Sequence, residues 1–411
     1  MKEAIIKILQ YILKKLAQLT VWRYEPGVIV ITGNVGKTST KETIAAVLRN
    51  GRNIRYSSGN FNNELGVPLT IIGDWDKISG WFFWPRVLIM AVFQLIFKNG
   101  NYPELLILEY AAGKPGDIKY LLEIARPQIG VITAIGEIPA HVEFFSGSDA
   151  VAREKSRVVE HLPSNGFAVL NFDDEVVMDM KERTRAHVIT FGFGEGAEVR
   201  ITNFEIRSEN GRPDGIWFKL VYGGNVVPFN LKGVFGKPQA YATAAAAAVG
   251  IVFGANLVKS AEALAGYRPI KGRMSLLPAI KMAYIIDDSY NAAPLSMRSA
   301  LDTLKALKVS GRKIAVLGDM LEIGRYALEA HEEIGRMAAK TADFLITVGP
   351  RAKFIAEHAV RHGLSKRRVM SFDVVEDAIK PAQDMIRKGD VVLVKASRAI
   401  QLDKLVKALI V

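Results

Sequence analysis

The chain has 411 residues, no cysteine and a formal net charge of +12. Its 49% hydrophobic and 9% aromatic content excludes a disordered chain and allows two or three domains, each with its own core. The lack of cysteine removes disulfides, thiolate nucleophiles and cysteine–zinc sites and fits a reducing compartment, while the basic balance favours an anionic partner. No zinc finger, RNP motif or concentrated basic stripe accompanies that charge, so nucleic acid is not the expected partner.

Residues 1–26 read as an amphipathic helix and not as a signal peptide, because Lys7, Lys14 and Lys15 interrupt any apolar stretch and no small-residue cleavage pattern follows. At the helical period Ile5, Ile6, Leu9, Ile12, Leu13, Leu16 and Leu19 share one face, with the lysines opposite. Such a helix either docks on the protein's own core or lies on an anionic membrane.

Next comes GVIVITGNVGKTSTKET, at 27–43. Val28 to Ile31 form the continuous apolar run of a central parallel strand. Gly33 and Gly36 allow a turn whose successive N–H groups point inward to cradle phosphate. Lys37 supplies a point charge, Thr38 a hydroxyl for Mg²⁺, and the following helix its positive end. Only Asn34 and Val35 separate the glycines, fewer residues than in the common GxxxxGK[ST] pattern. Gly33, Asn34, Val35, Gly36, Lys37, Thr38 and Ser39 are the expected nucleotide-binding residues.

A second apolar segment, WFFWPRVLIMAVFQLIF at 81–97, is too short to span a bilayer, which needs roughly 20 apolar residues. It is read as a buried helix, with a monolayer-dipping or partner-binding element as the rival. With residues 1–20 it makes peripheral membrane contact an expectation to test.

Strands and helices then alternate, the pattern of a mostly parallel, doubly wound α/β sheet. Strands are expected at Leu105–Glu109, Ile129–Thr133, Phe167–Asn171 and Val188–Phe191. An antiparallel insertion follows over residues 197–232, and a small-residue helix over Ala240–Val249. The stretch GYRPIKG at 266–272 is linker-like. Beyond it a second α/β series carries strands at Tyr284–Asp287, Ile314–Leu317, Phe344–Val348 and Val391–Val394. The expected division is residues 1–26 as a helix, 27–270 as the nucleotide-binding domain and 271–411 as a C-terminal α/β domain.

Strand ends in such sheets are where ligands bind. Glu109 ends one strand, His141 follows the next, and Lys155 lies on the helix beyond. A carboxylate and an imidazole on neighbouring strand ends suit Mg²⁺ at a nucleotide's terminal phosphate.

Taken together, these stretches resemble the Mur ligases, ATP-dependent amide-forming enzymes of peptidoglycan synthesis. The matching segments are ITGNVGKTSTKET, GNFNNELGVPLT at 59–70, LEYAAGKPGDIKYL at 108–121, ITAIGEIPAHVEFF at 132–145 and AREKSRV at 152–158. In the second half they are KGRM at 271–274, IIDDSYNAAPLSMRSAL at 285–301, VLGDMLEIG at 316–324 and LVKASRAIQLDKLV at 393–406. The short phosphate loop is the family's own form. Within the family the chain is most similar to members that add D-alanyl-D-alanine to a UDP-linked muramoyl-tripeptide.

The resemblance implies a P-loop-type ATPase domain followed by a Rossmann-like C-terminal domain, in a cytoplasmic enzyme that works through an acyl phosphate. It implies ATP and two Mg²⁺ ions, with Thr38, Glu109, His141 and a carbamylated Lys155 as metal ligands. A carbamate would turn a repelling ammonium into an anionic oxygen ligand. Lys37, Glu109, His141, Lys155 and Arg273 would be the catalytic set, with Arg273 reaching the ATP phosphates. Asp288 and Asn291 would contact ribose and adenine, Asn60, Asn62 and Asn63 the acceptor side, and Lys395, Ser397 and Arg398 the incoming dipeptide.

Three departures accompany the match. About 26 residues precede the ATP-binding core where the family carries a domain that grips UDP, so an acceptor presented at the inner membrane face, on a lipid carrier, is an expectation. Residues 236–242 read GKPQAYA in place of GxHNxxN. The loop before His141 is lengthened, and Tyr110 and Ala111 replace a Met-Gly pair. The alternatives are a related ligase, extending folate with glutamate or amidating a stem peptide, or a catalytically silent ATP-binding partner of a cell-wall complex.

Overall fold

The computed structural model describes residues 2–57, 59–75, 77–78, 80 and 82–411, with residues 2 and 3 as backbone only. Met1 and Trp81, which begin the two apolar segments, lie outside the described residues.

The chain opens with α1 (Lys2–Tyr24), then β1 (Gly27–Thr32), α2 (Lys37–Leu48) and the short β2 (Ile54–Tyr56). Two helices, α3 (Gly66–Ile72) and α4 (Phe83–Ile96), precede β3 (Leu105–Glu109). The alternation continues through α5 (Asp117–Ile124), β4 (Ile129–Ile132), α6 (Ser148–Glu160), β5 (Phe167–Asn171), α7 (Glu175–Met178) and β6 (His187–Gly192). A meander of β7 (Val199–Glu209), β8 (Arg212–Tyr222) and β9 (Asn225–Lys232) leads to α8 (Lys237–Val252) and α9 (Leu257–Leu264).

These strands form one nine-stranded sheet in the order β2-β3-β1-β4-β5-β6-β7-β8-β9. Pairing is parallel from β2 to β7 and antiparallel from β7 to β9. The expected antiparallel insertion is therefore an extension of the main sheet, joined to it by the short Phe191–Val199 register. One face is covered by α2 and α8, where Ala244–Ala248 allow close packing on Ile29 and Ile44. The other is covered by α5 and α6, with Ile118, Leu121 and Val158 against Val28 and Val30.

The second body contains β10 (Ser275–Ala279), β11 (Ala283–Asp287), α10 (Pro294–Ala306), β12 (Lys313–Gly318), α11 (Ala327–Ala339), β13 (Phe344–Val348), α12 (Ala352–Arg361), β14 (Val369–Phe372), α13 (Val375–Met385), β15 (Val391–Lys395) and α14 (Asp403–Leu409). Its sheet runs β10-β11-β15-β12-β13-β14, parallel except for the edge strand β10. Sequence reading did not anticipate β2, β10 or β14. Each is short and lies at a sheet edge, so it lacks the long apolar run that marks a doubly covered strand.

Helix α1 corrects the expectation of one apolar and one charged face. Leu13 and Ala17 are fully buried, while Ile5, Ile8, Tyr11, Leu19 and Trp22 face outward. Lys14 turns inward and pairs with Glu123 of α5 at 2.5 Å. The helix thus has two apolar sides, one docked against α3 and α4 and one exposed.

Candidate active site

The parallel strands β1, β3 and β4 end side by side, with Ile31 opposite Glu109 and Thr32 opposite Ile132. Their C-terminal loops consequently meet over one edge of the sheet. Gly33 has φ +144°, and a Cβ there would lie 2.0 Å from Thr133 Oγ1, so this close crossing of two loops needs glycine. Gly36, at φ +90°, opens α2 without a side-chain cap, which leaves the first-turn N–H groups of Lys37, Thr38 and Ser39 for an anion. The turn is less open than expected. Asn34 and Val35 donate their N–H groups to the Ala134 carbonyl, at 2.6 and 3.3 Å, so these two N–H groups are already occupied.

Lys37 curls over the loop and donates to the Gly33 carbonyl at 2.9 Å. Lys155, delivered from α6, donates to the same oxygen at 3.1 Å. Burial pushes the Lys37 amine below its ordinary value, with Arg273 adding to the effect and Glu109 opposing it. For Lys155 burial is again the largest cause, the Lys37 charge adds to it, and the amine falls to about 7.

Glu109 is buried at the end of β3. Its Oε1 accepts from Asn62 Nδ2 at 3.0 Å, whereas its buried Oε2 has no hydrogen-bond partner. A buried carboxylate oxygen with no donor suits a cation. His141 sits at φ +65°, with Nδ1 2.5 Å from Glu322 Oε2 of the second body. Burial, Lys37 and Lys155 hold its imidazole below the ordinary value against the pull of Glu322. A neutral ring that donates from Nδ1 to Glu322 keeps an Nε2 lone pair for a metal. Among the described residues no group of three or more His, Asp or Glu side chains stands ready to hold a metal. A cation here would rely on Thr38, Glu109, His141, an altered Lys155 and its ligand's own oxygens.

The second body reaches into the site through Arg273, whose Nη2 lies 3.5 Å from Thr38 Oγ1. Its guanidinium stacks on Tyr290 at 4.2 Å. A cavity of about 60 Å³ lies between the bodies, lined by Val35, Thr38, Gln239, Arg273, Asn291 and Lys395 among others. Asp288 lines it too, but both carboxylate oxygens are engaged, one by Met274 N–H at 3.2 Å and the other by Lys395 at 2.5 Å. Burial pushes the Asp288 carboxyl up and the Lys395 amine down, and their mutual attraction opposes both shifts.

The remaining expected residues take different places. Asn62 is on Glu109, Asn63 accepts from Gly66 N–H at 2.9 Å at the start of α3, and Asn60 is exposed. Lys395 lies beside the phosphate loop with Asp288. Ser397 Oγ accepts from Leu321 N–H at 2.9 Å, and Arg398 donates to Tyr290 Oη at 2.6 Å on the outer side.

Sequence reasoning missed two features. Lys41, one helical turn after Lys37, is fully buried and donates to the carbonyls of Ser57 and Gly59, at 2.6 and 3.2 Å, tying α2 to the base of the Asn60–Asn63 loop. Its spacing of four from Lys37 was the available signal. The second feature is a cavity of about 790 Å³ beside Val35 and Gly36, walled by Phe191, Tyr241 and Leu295 with Asp173 and Asp302 at its margin. Tyr241 donates to Asp173 at 2.7 Å. Its walls come from both bodies, so no single stretch of sequence announces it.

This arrangement defines a phosphate-loop nucleotide-binding protein whose second α/β body supplies an arginine to the phosphate site. Residues 90–250 match the Mur ligase middle domain, and residues 272–398 match the Mur ligase glutamate ligase domain. The UDP-N-acetylmuramoyl-tripeptide–D-alanyl-D-alanine ligase of Mycobacterium tuberculosis (strain ATCC 25618 / H37Rv) is 32% identical over 93% of this chain and 72% of its own. That of Bacillus subtilis (strain 168) is 29% identical over 97% of this chain and 79% of its own. Among solved structures, the MurF ligase from Thermotoga maritima in complex with ADP is similar, with a TM-score of 0.79 and 28% identity over 96% of this chain and 82% of that one. The chain belongs to the Mur ligase family.

Proposed function

We propose that the chain is an ATP-dependent ligase that joins D-alanyl-D-alanine to the terminal carboxylate of a muramoyl-tripeptide in peptidoglycan synthesis. The observation that carries this reading is the unpartnered buried oxygen of Glu109 beside a GKT loop, in a chain whose relatives bear that activity over nearly its whole length. The acceptor carboxylate attacks the γ-phosphorus of ATP, the bond to ADP breaks, and an acyl phosphate forms. The amine of the dipeptide then attacks the acyl carbon, loses a proton, and inorganic phosphate leaves. Lys37 and Arg273 hold the phosphates from opposite bodies, so charge neutralisation depends on both bodies closing on one ligand. The larger cavity is of a size that takes a nucleoside.

The reading takes two Mg²⁺ ions: Thr38 and Glu109 would hold one, and His141 with a carbamylated Lys155 the other. Bound Mg²⁺ supplies Lewis-acid charge at the phosphate oxygens. A Lys155 amine near 7 is largely neutral at slightly alkaline pH, so its lone pair can attack CO₂, forming an N–C bond and releasing a proton. A need for ATP fits a reaction on the cytoplasmic side of the membrane.

The test is purified protein with ATP, Mg²⁺, muramoyl-tripeptide and D-alanyl-D-alanine, read by mass spectrometry and phosphate release. A product heavier by one dipeptide, with one phosphate per coupling, is expected. ATP binding without acceptor-dependent phosphate release would instead indicate a silent nucleotide-binding partner. Turnover with glutamate or ammonia in place of the dipeptide would move the chain to another branch of the family.

A further inference from the structure

Helices α1 and α4 share a buried cluster in which Leu13, Phe83, Val87 and Ala91 meet α3. Tyr24 joins their ends, donating to the Gln94 carbonyl at 2.7 Å and accepting from Asn99 N–H at 2.8 Å. Both helices are apolar on the opposite side as well. On α1 the outward stripe is Ile5, Ile8, Ile12, Leu19 and Trp22, and on α4 it is Ile89, Val92, Phe93 and Ile96. Trp22 is 72% exposed, Ile89 69% and Phe93 60%. Scattered exposed apolar residues are ordinary, but a stripe of them on each of two contacting helices is not.

The charge on these two helices is predominantly positive. Residues 2–24 carry Lys2, Lys7, Lys14, Lys15 and Arg23 against Glu3, and residues 82–98 carry Arg86 and Lys98 with no carboxylate. Lys7, Lys15, Arg86 and Lys98 are exposed. No helix among the described residues is long and apolar enough to cross a membrane. Exposed aliphatic and aromatic side chains interleaved with lysine and arginine fit a surface that lies in the headgroup region of an anionic bilayer.

We infer that α1 and α4 form a platform that docks this protein on an anionic phospholipid surface. The platform leads directly to the acceptor side of the site. Phe61 packs against the same cluster, and its neighbour Asn62 holds Glu109. Docking therefore sets the Asn60–Asn63 loop one helix layer behind the lipid surface, on the side where a lipid-borne acceptor is presented. That last clause rests on the proposed ligase activity; the docking itself does not.

The experiment is co-sedimentation of the full chain with phosphatidylglycerol-containing vesicles and with phosphatidylcholine vesicles, without ATP or acceptor, so that its outcome is independent of the ligase reading. Binding to the anionic vesicles is expected to exceed that to neutral ones by about tenfold and to weaken in high salt. An Ile8→Glu/Phe93→Glu double variant, altered only at exposed positions, is expected to lose that binding with an unchanged melting temperature. A Lys7→Glu/Lys15→Glu variant separates charge from apolar insertion and is expected to lose the preference for anionic lipid. Absence of wild-type binding, or equal binding by the Ile8→Glu/Phe93→Glu variant, overturns the proposal. A dimer seen by analytical ultracentrifugation and dissolved by that variant, without vesicle binding, would also overturn it and assign the face to a second copy.

Discussion

The Nζ atoms of Lys37 and Lys155 converge on one acceptor, the carbonyl oxygen of Gly33, at 2.9 and 3.1 Å. Two ammonium groups sharing one oxygen in a buried site oppose each other's protonation, and burial disfavours both charges. The Lys155 amine is drawn down from 10.5 to about 7. Between these values the folded protein binds fewer protons here than the unfolded chain. The stability this group contributes is present at high pH and lost as pH falls toward 7. Urea midpoints measured from pH 7 to 10 should rise more steeply for the wild type than for Lys155→Met; parallel curves would contradict this.

The same shift governs the chemistry proposed for Lys155. Carbamate forms only on the neutral amine, so turnover should fall as pH drops through about 7 and recover on adding bicarbonate at fixed pH. Lys37→Met removes a neighbouring charge and should move the Lys155 amine upward. In ¹³C-bicarbonate NMR the wild type should show a carbamate signal at pH 8, and Lys37→Met should show it only at higher pH. A wild type without that signal across the range would end the carbamate proposal.

Arg273 bridges the two bodies, stacked on Tyr290 and reaching Thr38. A charge used mainly on transferring phosphate contributes more to the transition state than to folding. Arg273→Ala should lower kcat about 100-fold, with little change in melting temperature. Tyr290→Leu, which removes the stacking surface together with the hydroxyl that accepts from Arg398, should cost less in steady-state phosphate release.

Lys41 acts on the other side of α2. Its ammonium is fully buried on the Ser57 and Gly59 carbonyls, and a hydrogen bond to a charged group is worth about 1.5–3 kcal/mol. Lys41→Met should release the loop that carries Asn62 and raise KM for the acceptor, while KM for ATP changes much less. A uniform fall in kcat without that split would show that Lys41 only supports the fold.

Gly33 carries the tightest crossing in the site. Its φ of +144° and the 2.0 Å approach of a Cβ to Thr133 leave no room for Gly33→Ala without moving the loop. The substitution should abolish nucleotide binding by isothermal calorimetry and lower the melting temperature. Gly80→Ala is a weak control for steric demand, since a Cβ there meets nothing within 4 Å, although its own φ is +75°.

Much of the fold was legible because doubly covered strands have long apolar runs and phosphate loops have local glycine chemistry. Val28–Ile31, Leu105–Glu109 and Phe167–Asn171 stand where their apolar runs place them. The edge strands β2, β10 and β14 were not legible, since half-covered pairing leaves little trace in a few residues. Helix α1 misled for a related reason. Periodicity reports where apolar residues cluster, and a helix apolar on two sides offers no rule for which side docks.

By itself the sequence determined the α/β class, the phosphate loop and the family, because each is written in contiguous residues whose spacing is set by backbone geometry. Only tertiary structure decided that Lys155 would meet Lys37 on Gly33, that Lys395 would be taken up by Asp288, and that Ile8 and Phe93 would face outward. Those outcomes depend on which surfaces pack together across long stretches of chain. Burial and the neighbouring charges it brings, not the identity of a residue, set how its side chain titrates and what it can bind.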